Sequence, residues 1–371
     1  MQHDVGIDVS FKAWSSLSDN TIMINVVNCT MYRDNPYHEL LYYALKDQYK
    51  PVKGSIDHAI SAQKALPKGE RQIFHVHWEE AIIQNVSTSI IAKYVSQYFI
   101  YRLNYFSKLG GYIVWTVHNI TPHELKHFHS FLKIRQHLMK ASDRILIHNT
   151  ETINLLKEQG DFDVSKIFHL PHASYMENYG TPTLSSCANR KQILLFGKVR
   201  RYKGIAEFLN GFCSSDLRIN GMSVLVRGGL IKNDSFGSEL QASFNKKKNV
   251  ILNFEHVPNE EVQSLFMNSA CIVLPYTQFL TSGVLMAALT HGIPVIAPDV
   301  SQVREVLPKT ALRFLFDPDE KDSAINAIKA LNLLSDKDYK QLRASMMERA
   351  EHYHPKNISR SLGDIYDARY L

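Results

Sequence analysis

The chain has 371 residues, 45% of them hydrophobic, which is more than one hydrophobic core normally organises, so two domains are predicted. Its formal net charge of +6 is modest for this length and does not indicate a nucleic-acid-binding protein. The four cysteines lack metal-ligand spacing, the first residues do not form a signal peptide, and no stretch reaches the roughly 18 apolar residues of a spanning helix, a pattern typical of a cytoplasmic protein.

Strands and helices alternate through the first half of the chain, which predicts a parallel sheet covered by helices on both faces. The predicted strands are residues 21–28, 72–76, 112–117, 144–148 and 166–170. The predicted helices are residues 37–49, 87–109, 125–140 and 150–159. This is the pattern of a doubly wound α/β domain, which we expect to span residues 1–180.

Three loops at the carboxyl ends of these strands are rich in functional side chains, and open α/β sheets bind ligands at that edge. The first loop, residues 29–37, lacks a Gly-rich turn. Residues 75–80 read His-Val-His-Trp-Glu-Glu, and residues 115–124 read Trp-Thr-Val-His-Asn-Ile-Thr-Pro-His-Glu. A glutamate in such a loop is either a functional carboxylate or an ordinary helix cap or salt-bridge partner.

A polar linker, residues 181–190, leads into a second run of strands and helices. The predicted strands are residues 191–196, 222–226, 250–254, 271–274 and 294–297, and the clearest helices are residues 205–212 and 284–290. A second α/β domain is therefore expected over residues 191–352, with a terminal segment, residues 353–371, after it.

Two turns of the second half are suited to binding an anion. Residues 281–283, Thr-Ser-Gly, stand where a helix begins, and a helix N-terminus offers unpaired N–H donors and about half a positive charge. Residues 197–204 follow a strand and carry Arg200 and Lys203 beside glycines, which suits a diphosphate. Taken singly, the first turn also fits an ordinary N-cap and the second a solvated basic turn.

Together, the two turns resemble the carboxy-terminal half of nucleotide-sugar glycosyltransferases with the GT-B fold, in the branch related to capsule and exopolysaccharide assembly. The segments that carry the resemblance are Gly197-x-x-Arg200-x-x-Lys203-Gly204, Leu280-Thr281-Ser282-Gly283 and Gly292-x-Pro294-Val295. The resemblance implies two Rossmann-like doubly wound domains that face each other across a cleft, with residues 353–371 crossing back onto the first domain. It also implies a donor site formed by Gly197, Arg200, Lys203, Arg227, Tyr276, Thr281, Ser282 and Gly283.

The chain departs from this family at the paired glutamates of its retaining members, because those positions fall on Phe279 and Ala287. A retaining mechanism therefore does not follow from the resemblance. An inverting transfer needs a general base near the acceptor hydroxyl, in the first domain. The candidates are Glu79, Glu124, His118 and His123. We prefer a glutamate for the base and His118 for a contact with the donor sugar, since a histidine after the fourth strand often has that role in this family.

These observations predict an enzyme that moves a hexose from a GDP- or UDP-sugar to a lipid-linked or oligosaccharide acceptor in polysaccharide biosynthesis. The leaving diphosphate needs neutralisation rather than protonation, which Arg200, Lys203 and helix amides supply. We therefore expect no metal and no cofactor besides the co-substrate. Two alternatives stay open: a non-catalytic sugar-nucleotide-binding protein, and a zinc-dependent hydrolase that uses His75, His77, His118 and His123.

The helix predicted over residues 87–109 is unusually aromatic. Tyrosines recur along it at helical spacing among basic residues, namely Tyr94, Tyr98, Tyr101 and Tyr105 with Lys93, Arg102 and Lys108. Such a surface can lie in a lipid headgroup layer, which favours peripheral contact with the cytoplasmic face of the inner membrane. A helix buried beside the sheet would show a similar composition.

Overall fold

The computed structural model describes residues 23–32, 35–119, 126–180, 183–184, 190–217, 221–230, 234–276, 280–320 and 322–370. The strands of the first half are β1 (Ile24–Cys29), β2 (Tyr49–Lys53), β3 (Ile73–His77), β4 (Tyr112–Thr116), β5 (Arg144–Ile147) and β6 (Ile167–His169). Those of the second half are β7 (Gln192–Phe196), β8 (Ser223–Arg227), β9 (Val250–Asn253), β10 (Cys271–Val273) and β11 (Val295–Ile296).

The strands form two parallel sheets with different strand orders. The first sheet has the order β2-β1-β3-β4-β5-β6, and the second has the order β11-β10-β7-β8-β9. Strands β3 and β4 are buried at every position, as expected of central parallel strands with helices on both faces. The predicted α/β fold with two doubly wound domains is confirmed.

Helices connect the strands in both halves. In the first half they are α1 (Tyr37–Leu41), α2 (Ile56–Ala65), α3 (Ser89–Lys108), α4 (Phe128–Ala141) and α5 (Thr152–Lys157). In the second half they are α6 (Ile205–Ser214), α7 (Phe236–Phe244), α8 (Asn259–Met267), α9 (Gly283–Thr290), α10 (Ser301–Val306), α11 (Ser323–Asn332), α12 (Asp336–His352) and α13 (Pro355–Asp367). None of the helices within the described ranges is both long and apolar enough to cross a membrane.

The helix predicted over residues 37–49 is wrong in its second half. Helix α1 ends at Leu41, and Tyr49 begins β2, which pairs with β1 as the edge strand of the sheet. Leu41 and Leu45 are both buried and are four residues apart, which is a helical spacing, but only Leu41 belongs to α1. Pro51 is tolerated in β2 because an edge strand can lack one backbone donor.

Each sheet has one point where the strand order reverses, and ligands of such folds bind beside it. In the first sheet this point lies between β1 and β3, and in the second it lies between β7 and β10. The loops after β3, β7 and β10 are therefore the ones expected to face a ligand. They contain the glutamate pair at residues 79–80, the basic turn at 197–204 and the Thr-Ser-Gly turn at 281–283.

Helix α13 packs against the first half of the chain. It contacts α1, and the Tyr366 hydroxyl lies 2.6 Å from both the Tyr42 hydroxyl and His75 Nδ1. The Tyr112 hydroxyl donates to the backbone oxygen of Ile365 at 3.2 Å. The terminal segment thus lies against the first sheet, although the chain has already passed through the second. The domain boundaries assigned from the sequence stay a prediction.

Candidate functional site

The basic turn after β7 depends on glycine for its shape. Gly204 adopts a left-handed conformation with φ +64°, and a Cβ there would overlap the carbonyl oxygen of Pro275, which follows β10. The turns after β7 and β10 are therefore packed directly against each other. Only a residue without a side chain permits that approach.

Gly197 is the point at which the two predicted anion-binding segments meet. A Cβ built on it would lie 3.3 Å from Lys203 Nζ and 3.4 Å from Val284 Cγ2, so the ammonium group and the first turn of α9 both border this glycine. Gly197 has φ +94°, which an L side chain rarely adopts. The structure thus brings the basic turn and the start of α9 to one place, as the sequence predicts.

Lys203 is a buried cation. Its residue is 8% exposed, its Nζ lies 5.4 Å from the ring centroid of Tyr276, and no carboxylate among the described residues forms an ion pair with it. Burial, followed by the positive charges of Arg200 and Lys198, lowers the Lys203 pKa to about 7. A bound anion would oppose both effects and favour the charged ammonium. The surroundings of Lys203 therefore suit the binding of an anion.

The start of α9 is capped as predicted. The Ser282 hydroxyl accepts a hydrogen bond from the Leu285 N–H at 3.3 Å, so its side chain is an N-cap. The N–H groups of the first turn, beginning at Gly283, have no partner within the helix. Thr281 and Ser282 line a small cavity together with His148 and His172 of the first half. The N-cap and the anion-binding interpretations are therefore compatible.

Arg227, also predicted to bind the donor, lies at the end of β8 in the company of acidic and polar side chains. Its guanidinium contacts Asn253, approaches Glu255 at 3.3 Å, and lies 3.7 Å from Glu261. Its position at the carboxyl edge of the sheet agrees with the prediction, but these contacts already balance much of its charge. Ala287 is buried in α9, and Phe279 lies outside the described residues.

A cluster of aromatic and histidine side chains covers the carboxyl edge of the first sheet. His118 Nε2 lies 3.0 Å from His77 Nδ1, and the Trp78 ring stacks on His118 at a centroid distance of 4.0 Å. Burial, followed by the charge of nearby His148, holds the His118 pKa well below its usual value, so its imidazole is neutral near pH 7. His118 is thus suited to hydrogen bonding with a neutral sugar hydroxyl.

Several members of this cluster were not predicted from the sequence. Tyr37 makes edge contacts with the rings of five histidines, His38, His77, His118, His148 and His172. A signal was present, because a histidine ends or follows each of the neighbouring strands β3, β4, β5 and β6. Since carboxyl ends of adjacent parallel strands meet at one edge, this repetition predicts that the rings converge.

The zinc-hydrolase alternative is not supported by these histidines. His75 shares hydrogen bonds with the Tyr366 and Thr116 hydroxyls at 2.6 and 2.7 Å, and His77 shares its own with His118 and Asn28. The four ring nitrogens are thus engaged with protein side chains. Within the described ranges, no three His, Cys, Asp or Glu side chains are grouped to hold a metal, and His123 lies outside those ranges.

Of the two glutamates preferred as the base, Glu79 is wholly buried in an ion pair. Its Oε1 accepts from Arg135 Nε at 2.8 Å, and its Oε2 accepts from Trp115 Nε1 at 3.2 Å. These are the contacts of a structural carboxylate, the alternative that the sequence analysis left open, and they occupy the oxygens that a base would need. Glu124 lies outside the described residues, so its predicted role stays a prediction.

The carboxyl edges of the two sheets also touch each other. Asn149 Nδ2 donates to the Leu280 backbone oxygen at 2.7 Å, and His169 Nε2 lies 3.0 Å from Glu305 Oε1. Further along, the Tyr175 N–H donates to Thr290 Oγ1 at 2.9 Å. The histidine cluster of the first half therefore faces the Thr-Ser-Gly turn of the second.

The chain is similar to known proteins both in sequence and in fold. Residues 190–336 match the family described as glycosyl transferases group 1. The chain is 26% identical over 270 residues to a GDP-mannose:glycolipid 4-beta-D-mannosyltransferase of Xanthomonas campestris pv. campestris, covering 71% of this chain and 70% of that protein.

Two solved structures show the same fold. Sucrose-phosphate synthase from Thermosynechococcus elongatus is similar with a TM-score of 0.69 and 15% identity, covering 92% of this chain and 95% of that one. The Anabaena protein HepE, solved with UDP and glucose, is similar with a TM-score of 0.65 and 11% identity, covering 93% of this chain and 100% of that one. At these identities the likeness concerns the fold.

Proposed function

We propose that this chain, which is a glycosyltransferase with the GT-B fold, moves a hexose from a GDP- or UDP-sugar to a lipid-linked acceptor in polysaccharide biosynthesis. The predicted resemblance to GT-B glycosyltransferases is confirmed, whereas the donor, the acceptor and the pathway are our proposal. The observation that carries the donor site is Gly197, which has Lys203 Nζ on one side and the first turn of α9 on the other.

The chemistry of this site suits departure of a diphosphate. Lys203, Arg200 and the N–H groups at Gly283 provide positive charge and donors where negative charge develops on the leaving group. Removing one such donor typically costs about 3 kcal/mol in the transition state. These groups are sufficient for neutralisation, so we propose a transfer that does not depend on a metal.

The acceptor and the stereochemistry are proposed from the relative in Xanthomonas. Its name states that it transfers mannose from GDP-mannose to a glycolipid with a β linkage. GDP-mannose carries an α-linked sugar, so a β product requires inversion at C1. The absence of glutamates at Phe279 and Ala287 agrees with an inverting transfer, because those positions carry carboxylates in the retaining members that this chain resembles. A short oligosaccharide is the second acceptor class that this site can serve.

A thermal-shift screen tests the donor proposal. We expect the Tm to rise with GDP or UDP at saturating concentration, because a ligand present at 100 times its Kd adds about 2.7 kcal/mol to stability. The shift should persist in EDTA. ADP and dTDP serve as comparison nucleotides. A chain that binds none of the four, or binds only with added Mg²⁺, would contradict the proposed donor site.

A transfer assay distinguishes a transferase from a non-catalytic sugar-nucleotide-binding protein. Radiolabelled GDP-mannose and UDP-glucose are incubated with a membrane glycolipid extract, and label is followed into the organic phase. Transfer of label supports the proposal, whereas stable binding without consumption of either donor favours the non-catalytic alternative.

We also propose that α3 attaches the protein to a membrane surface. One face of α3 is buried against the sheet, while the opposite face exposes Ile90, Ile91, Tyr94, Tyr98 and Tyr101, which we call the α3 face. Ile90, Tyr94 and Tyr101 are 71%, 67% and 67% exposed. Aromatic rings beside an exposed Lys93 suit an anionic headgroup layer, where a lipid-linked acceptor would also lie.

Flotation with phosphatidylglycerol-containing vesicles tests the α3 face. The triple variant Ile90→Ser, Tyr94→Ser, Tyr101→Ser should lower vesicle partitioning by about tenfold or more, because less apolar area enters the headgroup region. Leu333→Ser is the control, since Leu333 is 85% exposed in the second half of the chain. Equal flotation of the triple variant and the wild type would contradict this proposal.

A further inference from the structure

Glu80 occupies a special position in the first sheet. It follows β3, beside the point where the strand order reverses, and it comes two residues after Trp78, which has a left-handed backbone with φ 43° and ψ 61°. This conformation is costly for a bulky residue, and such backbone strain clusters at functional sites. Stacking of Trp78 on His118 helps to hold it. The two glutamates that follow Trp78, Glu79 and Glu80, have different neighbours.

The carboxylate of Glu80 is held on one side only. Its Oε1 accepts a hydrogen bond from Asn119 Nδ2 at 2.7 Å, whereas its Oε2 is buried and has no hydrogen-bond partner within the described part of the chain. A buried carboxylate oxygen without a partner is unfavourable, so this atom is suited to accept a hydrogen bond from a bound hydroxyl. The residue as a whole is partly exposed, so it lies at the margin of the buried cluster. Glu79, by contrast, has partners on both oxygens.

The charges around Glu80 favour a proton acceptor near neutral pH. Burial and the negative charge of Glu79 raise its pKa to about 7, while hydrogen bonds from its own backbone N–H and from Asn119, together with the charge of Arg135, act in the opposite direction. A base is most effective when its pKa lies close to the working pH. A further titratable neighbour in the described part of the chain is Tyr32, whose own pKa is raised by burial and by Glu80.

Tyr32 also connects Glu80 with the donor site. Besides burial, the charge of Glu80 in the first half of the chain raises the pKa of the Tyr32 hydroxyl, and the charge of Arg200 in the second half lowers it. The Tyr32 ring contacts Trp78 at a centroid distance of 5.1 Å. Glu80 and Arg200 are therefore both near Tyr32, as expected if an acceptor base and a donor diphosphate share one cleft.

We propose that Glu80 is the general base of the transfer, an assignment that rests on the proposed function. Oε2 takes the proton of the acceptor hydroxyl while that oxygen forms a bond to C1 of the donor sugar. The bond between C1 and the diphosphate oxygen breaks, and the nucleoside diphosphate leaves with the electron pair beside Lys203. Asn119 orients the carboxylate through Oε1. Glu79 instead positions the turn through Arg135.

Glu80→Gln tests this assignment, because glutamine keeps the shape of the side chain and can still accept from Asn119 but cannot take a proton. We expect kcat to fall about 1,000-fold, within the range for removal of a general base, with KM for the donor and the GDP- or UDP-induced thermal shift unchanged. In the wild type, kcat should rise as the pH rises through about 7, since Glu80 is active when deprotonated. The residual activity of the variant should lack this acidic limb. Glu80→Asp should recover part of the rate.

Glu158→Gln, at an exposed glutamate of the same half, is the matched control and should keep the wild-type rate. A Glu80→Gln enzyme that retains more than about a tenth of the rate, or that keeps the acidic limb, overturns the assignment. Loss of the nucleotide-induced shift in this variant also overturns it, because the effect would then be on binding. A wild-type protein that transfers no sugar overturns the proposed function itself.

Discussion

Lys203→Met is expected to weaken the binding of GDP or UDP by about 100-fold, because it removes one charge-assisted donor from a buried diphosphate site. Methionine keeps an unbranched side chain that can fill the place of the buried lysine stem, while the ammonium group beside Tyr276 and Gly197 is removed. Isothermal titration of the folded variant with GDP and UDP measures the change. Arg200→Ala should weaken binding in the same direction.

The pH dependence of nucleotide binding provides a second measure of Lys203. Its pKa is lowered to about 7 in the ligand-free protein, and a bound diphosphate favours the protonated form. Binding should therefore be accompanied by proton uptake and should weaken as the pH rises above 7. Lys203→Met should remove this dependence.

Lys198→Met is the control for this experiment, since Lys198 lies in the same basic turn but is exposed. It should change nucleotide affinity by less than about threefold, as expected for a screened surface charge. If Lys203→Met and Lys198→Met had equal effects, Lys203 would have only a general electrostatic role and the assigned diphosphate site would be wrong.

Arg135→Met is expected to destabilise the protein by about 3–5 kcal/mol, because it leaves the Glu79 carboxylate buried without its cation. Neither side chain of this ion pair is exposed, and Arg135 also packs 4.4 Å from the ring centroid of Phe131. The Tm should fall by roughly 10 °C. Differential scanning calorimetry measures the loss, and circular dichroism shows whether the variant still folds.

Two further variants identify the cause of that loss. The double variant Arg135→Met, Glu79→Gln should be more stable than Arg135→Met alone, because the unpaired charge has been removed. Arg304→Met breaks an exposed ion pair with Asp299 and should leave the Tm almost unchanged. A Tm of Arg135→Met equal to that of the wild type would contradict a structural role for Glu79 and would restore it as a candidate base.

Some sequence predictions failed because packing at a distance decides between similar local patterns. Leu41, Leu45 and Tyr49 have helical spacing, yet Tyr49 belongs to β2 because its backbone pairs with Ile24 of β1. The same limit applies to the aromatic helix α3. Its spacing suits burial and membrane contact equally, and the structure shows that Phe99 and Leu103 are buried while Tyr94 and Tyr101 are exposed.

The fold class, and the two segments that we propose to bind the donor, follow from local features of the sequence. Alternating strands and helices predict parallel sheets, and the glycines at 197 and 204 mark a turn that needs a left-handed backbone and close approach. These signals are local, because each depends on residues within one element and its adjoining loop. The group 1 match over residues 190–336 agrees with them.

The difference between the two neighbouring glutamates after β3 becomes visible only in the folded protein. Glu79 forms an ion pair with Arg135, 56 positions further along the chain, whereas Glu80 accepts from Asn119 and has one oxygen without a partner among the described residues. Nothing in the local sequence distinguishes two adjacent carboxylates. The difference arises from the turn at Trp78 and from side chains that distant helices and loops bring to it, so it exists only when the chain is folded.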